Sequence, residues 1–288
     1  MFRQALLLLT GSLLLCSQTA LAAQTVTAVT VDTAPVVDGR ADDPAWRAAP
    51  EIKIHDQVAD TDIRLKSVTC GDMIYFLVRF ADDQPNELHK PWVWDSDLEA
   101  YMLGPQREDS FVFKWNLEDH PVDLSNFSDD NYRADVWYWK ANRTNPAGYA
   151  DDKHHVLSVK AAPKAKAITS KSGTQKFLQR LGDEGTSTTK KRILTRYEGD
   201  IQPQYQIRQP NGSRADVRAK GIWADGTWTI EFARKLQTGH ADDVQFDKGG
   251  KYLFGVSIYG LYGKPVDKSK PHLYGQGRIS EPLTLVFK

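Results

Sequence analysis

Apolar residues recur at every second position along much of this chain, and that period constrains the fold more than any other feature. Val29/Val31, Ile63/Leu65, Phe111/Phe113/Trp115, Trp137/Trp139, Trp228/Ile230/Phe232, Tyr252/Phe254/Val256/Ile258 and Leu283/Leu285/Phe287 each put their apolar side chains on one face of an extended segment. Met73–Phe80 (MIYFLVRF) is nearly continuous and reads as a central strand buried on both faces. Asp225-Gly226, between two apolar runs, signals a tight hairpin, and Gly71-Asp72 after Cys70 reads the same way. The expected class is mainly β, most simply an antiparallel β-sandwich of immunoglobulin-like build. A content of 41% hydrophobic and 10% aromatic residues is ample for its core.

Residues 1–23 read as a cleavable leader, leaving 24–288 as one sandwich domain. Arg3 supplies a positive start, Ala5–Leu15 is apolar except for Thr10, Gly11 and Ser12, and Ala20-Leu21-Ala22 has small residues at cleavage spacing. No twin arginine is present, so the expectation is general secretion into the periplasm. Leu15 before Cys16, where a lipoprotein needs a small residue, argues against lipidation. No later segment approaches the roughly 20 apolar residues of a membrane-spanning helix, so no integral membrane segment is expected after cleavage.

Loss of Arg3 and Cys16 from 37 Lys+Arg and 2 Cys leaves 36 basic residues against 37 acidic ones, with Cys70 alone. One thiol excludes an internal disulfide, a thioether-linked c-type haem and a four-thiolate iron–sulfur cluster. A near-zero balance excludes a nucleic-acid role, which needs a basic surplus. The charge is segregated, however. Asp82–Asp135 has 14 acidic and 4 basic residues, whereas Lys153–Arg196 has 11 basic and 2 acidic. The basic stretch, residues 153–196, reads as an excursion from the sandwich, a loop with a short helix at Thr174–Leu181. It is either a solvated loop or a surface for acidic groups, on a partner or on the chain's own domain.

Val37–Trp46 (VDGRADDPAW) is a turn-rich lead into a tryptophan. Arg107–Asn116 (REDSFVFKWN) is followed by Ala134–Asp152 (ADVWYWKANRTNPAGYADD) and Gly226–Asp243 (GTWTIEFARKLQTGHADD). The first string resembles the opening of family 9 carbohydrate-binding modules and of ethylbenzene-dehydrogenase-type haem-binding domains. The later blocks, an ED-x-F strand, a D-x-W-x-W-K-A strand and an R-x-N-P-x-G-x-x-D-D loop, resemble the ethylbenzene dehydrogenase-related family, whose haem-binding domains are DOMON-type and DMSO reductase-like.

The resemblance implies a non-covalent b-type haem at one end of a sandwich, as in molybdoenzyme γ subunits that pass electrons between an iron–sulfur relay and a soluble cytochrome. Trp115, Trp137 and Trp139 could wall the slot or simply be core, and Lys140, Arg143 or Arg278 could meet propionates. The γ subunits ligate iron with a Met before the tryptophan-rich strand and a Lys near the C-terminus. Here Pro121–Arg133 has no Met, and Arg278, which cannot ligate iron, falls where the Lys would. His272 fills the place of a His carried by other branches and is the first metal candidate. His120 and Met102 are candidates for the opposite side.

His154-His155 points both ways on an extended chain and His240 reads as structural. The Asp pairs 42-43, 82-83, 129-130, 151-152 and 242-243 read as turn formers. A Ca²⁺ site in one of them is what the likeness to sugar-binding modules implies. No hydrolase triad spacing, nucleotide loop or metalloprotease string is visible, so independent enzymatic activity is not expected. The expected function is periplasmic haem-based electron transfer with a cytochrome c or with molybdoenzyme and iron–sulfur subunits. The alternatives are a haem-free, carbohydrate-binding-like module and a scaffold subunit.

Overall fold

The structure is a computed structural model, and it describes residues 24–56, 59–259, 279 and 281–288. The expected leader, His272 and Arg278 lie outside the described residues. The strands are β1 (Gln24–Thr30), β2 (Ile52–Asp56), β3 (Thr61–Cys70), β4 (Met73–Ala81), β5 (Trp92–Asp95), β6 (Ala100–Leu103), β7 (Ser110–Asn116), β8 (Tyr132–Lys140), β9 (Asp151–Ser158), β10 (Lys166–Thr169), β11 (Gln175–Gly182), β12 (Thr189–Lys191), β13 (Ile201–Gln202), β14 (Tyr205–Ile207), β15 (Arg218–Ala224), β16 (Thr227–Lys235), β17 (Tyr252–Tyr259) and β18 (Leu283–Phe287). A single helical turn, α1 (Ala45–Ala48), precedes β2.

One sheet runs in the order β10-β11-β9-β8-β7-β17-β18-β1-β3-β4-β16-β15, with β2 added beside β3. Pairing is antiparallel except at β1, which is parallel to both β18 and β3. Five strand spacings separate β7 from β4, about 24 Å if the sheet were flat. The rings of Phe76 on β4 and Phe113 on β7 nevertheless lie 4.9 Å apart. Phe113 meets Phe232 of β16 at 5.1 Å, and Trp139 of β8 meets Trp228 of β16 at 5.0 Å. The sheet is therefore folded over on itself, and its two halves form the layers of a sandwich.

The turn chemistry follows the sequence reading. Ala224 pairs with Thr227 across Asp225 (φ +49°) and Gly226 (φ +73°), the two left-handed positions of a type I′ hairpin. β4 lies between β3 and β16 with Ile74–Val78 buried, as its continuous apolar run requires.

The basic stretch differs from expectation. Residues 174–181 are not helical: Gln175–Gly182 is strand β11, antiparallel to β9. Its alternation puts Lys176 and Leu178 inward, and extended backbone satisfies a ladder on β9 that a helix would leave open. The burial of Lys176 is made tolerable by the acidic segment, since its ammonium donates to the Asp129 carbonyl (2.6 Å) and Asn131 Oδ1 (2.9 Å). Lys171 pairs with Asp123 at 2.6 Å. The opposite charges seen in the sequence thus meet within one chain. The loop joining β7 to β8 also contributes Val122 and Leu124 to a second core with Val112, Tyr132, Val136, Leu157 and Leu178, on the outer face of the sheet.

The string Val37–Trp46 is tied to β16 through one carboxylate. Glu231, fully buried, accepts from Trp46 Nε1 (2.7 Å) at Oε1 and from the backbone N–H groups of Asp38 (3.0 Å) and Gly39 (2.7 Å) at Oε2. Gly39 has φ +86°, and a Cβ there would sit 3.0 Å from the Ile222 amide nitrogen. Glu231→Ala should lower stability by about 3 kcal/mol, because the buried Trp46 and Gly39 donors lose their acceptor, whereas the Asp38 amide keeps the Val36 carbonyl. Combined with Trp46→Phe, the losses in urea unfolding should be less than additive.

Candidate functional site

Strand ends define the site. At one end of the sandwich lie Ser110 of β7, Lys140 of β8 and Tyr259 of β17, which the ladders hold side by side. The segment 82–109 leaves β4 and returns to β7 at this end.

Glu108 and Asp109 open β7 and, being adjacent on an extended chain, serve opposite directions. Asp109 Oδ2 accepts from the Asn86 backbone (2.7 Å) and from Trp228 Nε1 (3.1 Å). Burial, together with the nearby Asp82 carboxyl, pushes Asp109 up to about 7. Glu108 Oε2 accepts from the backbone N–H groups of Asn142 (2.8 Å) and Arg143 (2.9 Å), and its other oxygen pairs with the Arg143 guanidinium.

The loop after β8 is built of cross-ties. Asn145 behaves like a strand partner for Gly221: Oδ1 accepts from the Gly221 amide (2.7 Å) and from Trp139 Nε1 (3.1 Å), while Nδ2 donates to the Gly221 carbonyl (3.0 Å). Gly221 has to be glycine there, because a Cβ would fall 2.6 Å from the Trp139 ring. Asp151 pairs with Lys140 at 2.7 Å and with Arg214. Burial alone would raise the Asp151 carboxyl, but Lys140, Lys153 and Arg214 hold it below the usual carboxylate range. Lys140 also sits 4.3 Å from the Tyr138 ring centroid, and burial draws its ammonium down to about 8.

The sequence-derived residues are distributed unevenly over this frame. Lys140 and Arg143 are at this end, each already paired with a carboxylate. Trp115, Trp137 and Trp139 are 0% exposed; Trp115 and Trp137 pack on each other and on Phe113 and Phe246, and Trp139 packs on Trp228, so all three are core. Met102, on β6, faces solvent. His120 is exposed and hydrogen-bonded to Asp119 (2.8 Å) beyond the Asn116 end of β7. Seven residues of β7, about 20 Å, separate His120 from the end that holds Lys140 and Arg143, so one small site cannot include all three. Of the other histidines, His154 and His155 point to opposite faces as expected, and His240 is tied to Asp216 at 2.6 Å.

His89 is the residue that sequence reasoning missed. Its side chain is 13% exposed, with Nδ1 3.1 Å from Glu108 Oε1 and its ring 5.9 Å from that of Tyr205. Burial pushes its imidazole down to about 2, with Arg143, Lys90, Arg107 and Lys140 adding to the effect. A histidine held neutral at the sandwich end is in the form that ligates a metal. Nothing in the polar string around residue 89 signals burial.

Asp151→Asn should cost about 3–5 kcal/mol at neutral pH by leaving Lys140 and Arg214 without their counter-charge. The native carboxyl has a lowered pKa, so its contribution is present above about pH 4 and fades as the pH falls further. Urea unfolding should show the gap between variant and parent closing in acid.

The description "Ethylbenzene dehydrogenase" belongs to the family model that matches residues 24–271. No curated protein matches the chain. Among solved structures, a family 9 carbohydrate-binding module from Caldicellulosiruptor kristjanssonii in complex with glucose is similar at 10% identity and a TM-score of 0.41, over 91% of this chain and 95% of that one. A putative carbohydrate-binding protein from Bacteroides uniformis is similar at 9% identity and a TM-score of 0.42, over 92% and 99%. Likenesses this distant carry no functional argument. The family match extends from the first strand through β17 and includes the Glu-Asp doublet, the tryptophan strand and the Asn-Pro loop, and by it this chain belongs to the ethylbenzene dehydrogenase family.

Proposed function

We propose that this protein is an exported, b-type haem-binding electron-transfer protein, free-standing or a γ-like subunit of a redox complex, with the haem at the Ser110 end of the sandwich. The observation that carries the reading is His89, a buried neutral imidazole among cations.

The donor set fits the group. Nδ1 lies 3.1 Å from Glu108 Oε1 without a hydrogen bond in this geometry, so Nε2 is the atom that would take iron, and a small ring rotation would let Glu108 act as its outer-shell partner. Lys90 and Arg107 would supply positive charge for two propionates, while Lys140 and Arg143 are already paired with Asp151 and Glu108. His272, outside the described residues, is the second donor proposed. A bound haem would supply a one-electron carrier, and the residues around it would set its potential. Lys140 and Arg143, fixed by Asp151 and Glu108, would keep that electrostatic field constant while the charge on iron changes. The proposed partners are a cytochrome c or molybdoenzyme and iron–sulfur subunits, in the periplasm. No helix among the described residues is long and apolar enough to cross a membrane.

Protein purified from periplasm with ample haem should show a low-spin b-type spectrum and a positive pyridine haemochrome. His89→Ala should shift the Soret band and weaken hemin binding about 10-fold or more. A colourless parent protein that also ignores added hemin would overturn the proposal, as would an unchanged spectrum in both His89→Ala and His272→Ala.

One observation favours the second reading, a carbohydrate-binding-like module. Trp94 is edge-on to both Tyr101 and Tyr197, with ring centroids 5.1 Å apart in each case. Together with Trp92 and residues 193–196, Trp94 and Tyr101 line a surface cavity of about 380 Å³. Partly exposed aromatic rings of this kind suit the apolar faces of sugars. On that reading soluble glucans should quench tryptophan fluorescence, and Trp94→Ala should abolish the effect. Absence of quenching across a glycan series excludes it.

A further inference from the structure

The Asp doublets at 151-152 and 242-243 each divide their work. Asp151 serves Lys140 and Arg214, whereas Asp152, its neighbour on β9, turns to the opposite face beside Trp137. There it meets Asp135 of β8 and Asp243 of the loop before β17. Carboxylate oxygens of Asp135, Asp152 and Asp243 all lie within 4.8 Å of one another. The three residues are 0%, 0% and 4% exposed.

These side chains are not consumed by the protein. Both oxygens of Asp152 and both of Asp243 are buried without a hydrogen-bond partner, and so is Oδ1 of Asp135. Only Oδ2 of Asp135 is used, by Arg234 Nη1 (2.7 Å), the Val244 amide (3.0 Å) and Trp137 Nε1 (3.2 Å). Among the described residues Arg234 is the one guanidinium paired with the group, and it is itself fully buried. Were all three carboxylates ionised, one guanidinium would leave a surplus of two negative charges. Away from water that surplus has to be offset, by protons or by a cation.

The neighbouring histidines have closer partners of their own. His154 is bonded to Asp183 at 2.5 Å and His240 to Asp216 at 2.6 Å, with Asp243 Oδ2 a further 3.9 Å contact of His240 Nδ1. They stand with Asp242 around a surface cavity of about 530 Å³, and Asp243 itself lines a neighbouring cavity of about 510 Å³.

We infer that Asp135, Asp152 and Asp243 form a calcium site that pins the loop before β17 to β8 and β9. Ca²⁺ binds oxygen at about 2.4 Å, so two ligand atoms on one ion lie at most about 4.8 Å apart, and the three carboxylates each offer an oxygen within that limit. An all-carboxylate set without thiolate suits a hard cation, and water from the neighbouring cavity would complete the 6–8 oxygen ligands that calcium takes. The site is on the inner sheet face, separate from the His89 end, and does not depend on whether haem binds.

The test is calcium titration of the full-length mature protein after chelation, followed by thermal unfolding and by Tb³⁺ luminescence excited through tryptophan. Trp137 donates to Asp135, close enough to sensitise a lanthanide in the site. Ca²⁺ should raise the melting temperature in a concentration-dependent way, Mg²⁺ should do so far less, and Ca²⁺ should quench bound Tb³⁺. Asp152→Asn and Asp243→Asn should each weaken calcium binding at least about 10-fold. Asp242→Asn, at the rim, controls for general charge loss and should stay near the parent value. The inference fails if the chelated protein shows neither a calcium-dependent shift nor sensitised emission. It fails equally if Asp152→Asn, shown by circular dichroism to be folded, binds calcium as the parent does.

Discussion

The fold depends on an aromatic seam that closes a long sheet upon itself. Phe76 and Phe232 from one half interlock with Phe113, Trp115 and Trp137 from the other, at ring separations of 4.9–5.8 Å. Most of the long strands turn one apolar face to this seam, and a sheet of this length could not bury that face while flat. Folding satisfies both halves at once. β1, the strand where the pairing turns parallel on both sides, joins them.

That seam also decides where polar groups can go. Tryptophans whose rings fill the centre send their N–H groups to acceptors at the margin: Trp139 to Asn145, Trp137 to Asp135 and Trp228 to Asp109. Each acceptor then organises a loop. Asn145 shapes the loop after β8, Asp109 holds the segment before β7, and Asp135 anchors Arg234 and the loop before β17. The family motifs are therefore structural ties before they are chemistry. Among the polar groups with spare capacity in the described residues are His89 beside Glu108 and the free oxygens of Asp152 and Asp243.

The opposed charge blocks have a similar origin. The acidic loop between β7 and β8 covers the outer face of the second layer, and the basic strands β10 and β11 extend that layer at its edge. Lys176, Lys171 and Asp123 sit where these meet. Part of a balance that looks like a binding surface in one dimension is thus used inside the chain in three.

Much of this was legible in the sequence because it is local. Period-two alternation sets strands, two left-handed φ angles demand Asp225-Gly226, and a lone Cys70 removes thiolate chemistry whatever the fold. Adjacent histidines on a strand had to diverge, and His154 and His155 do. Residues 174–181 were misread as helix because strand β11 draws its stability from β9, a partner invisible in its own sequence. The three tryptophans could have been wall or core, and only the opposing sheet half, by filling the space in front of them, made them core. Likewise, no spacing rule distinguishes an exposed His120 from a buried His89, or an Asp doublet in a turn from one whose second member faces two distant carboxylates. Burial and charge proximity are properties of what lies across from a residue, and the chain specifies that only when the sheet has folded over.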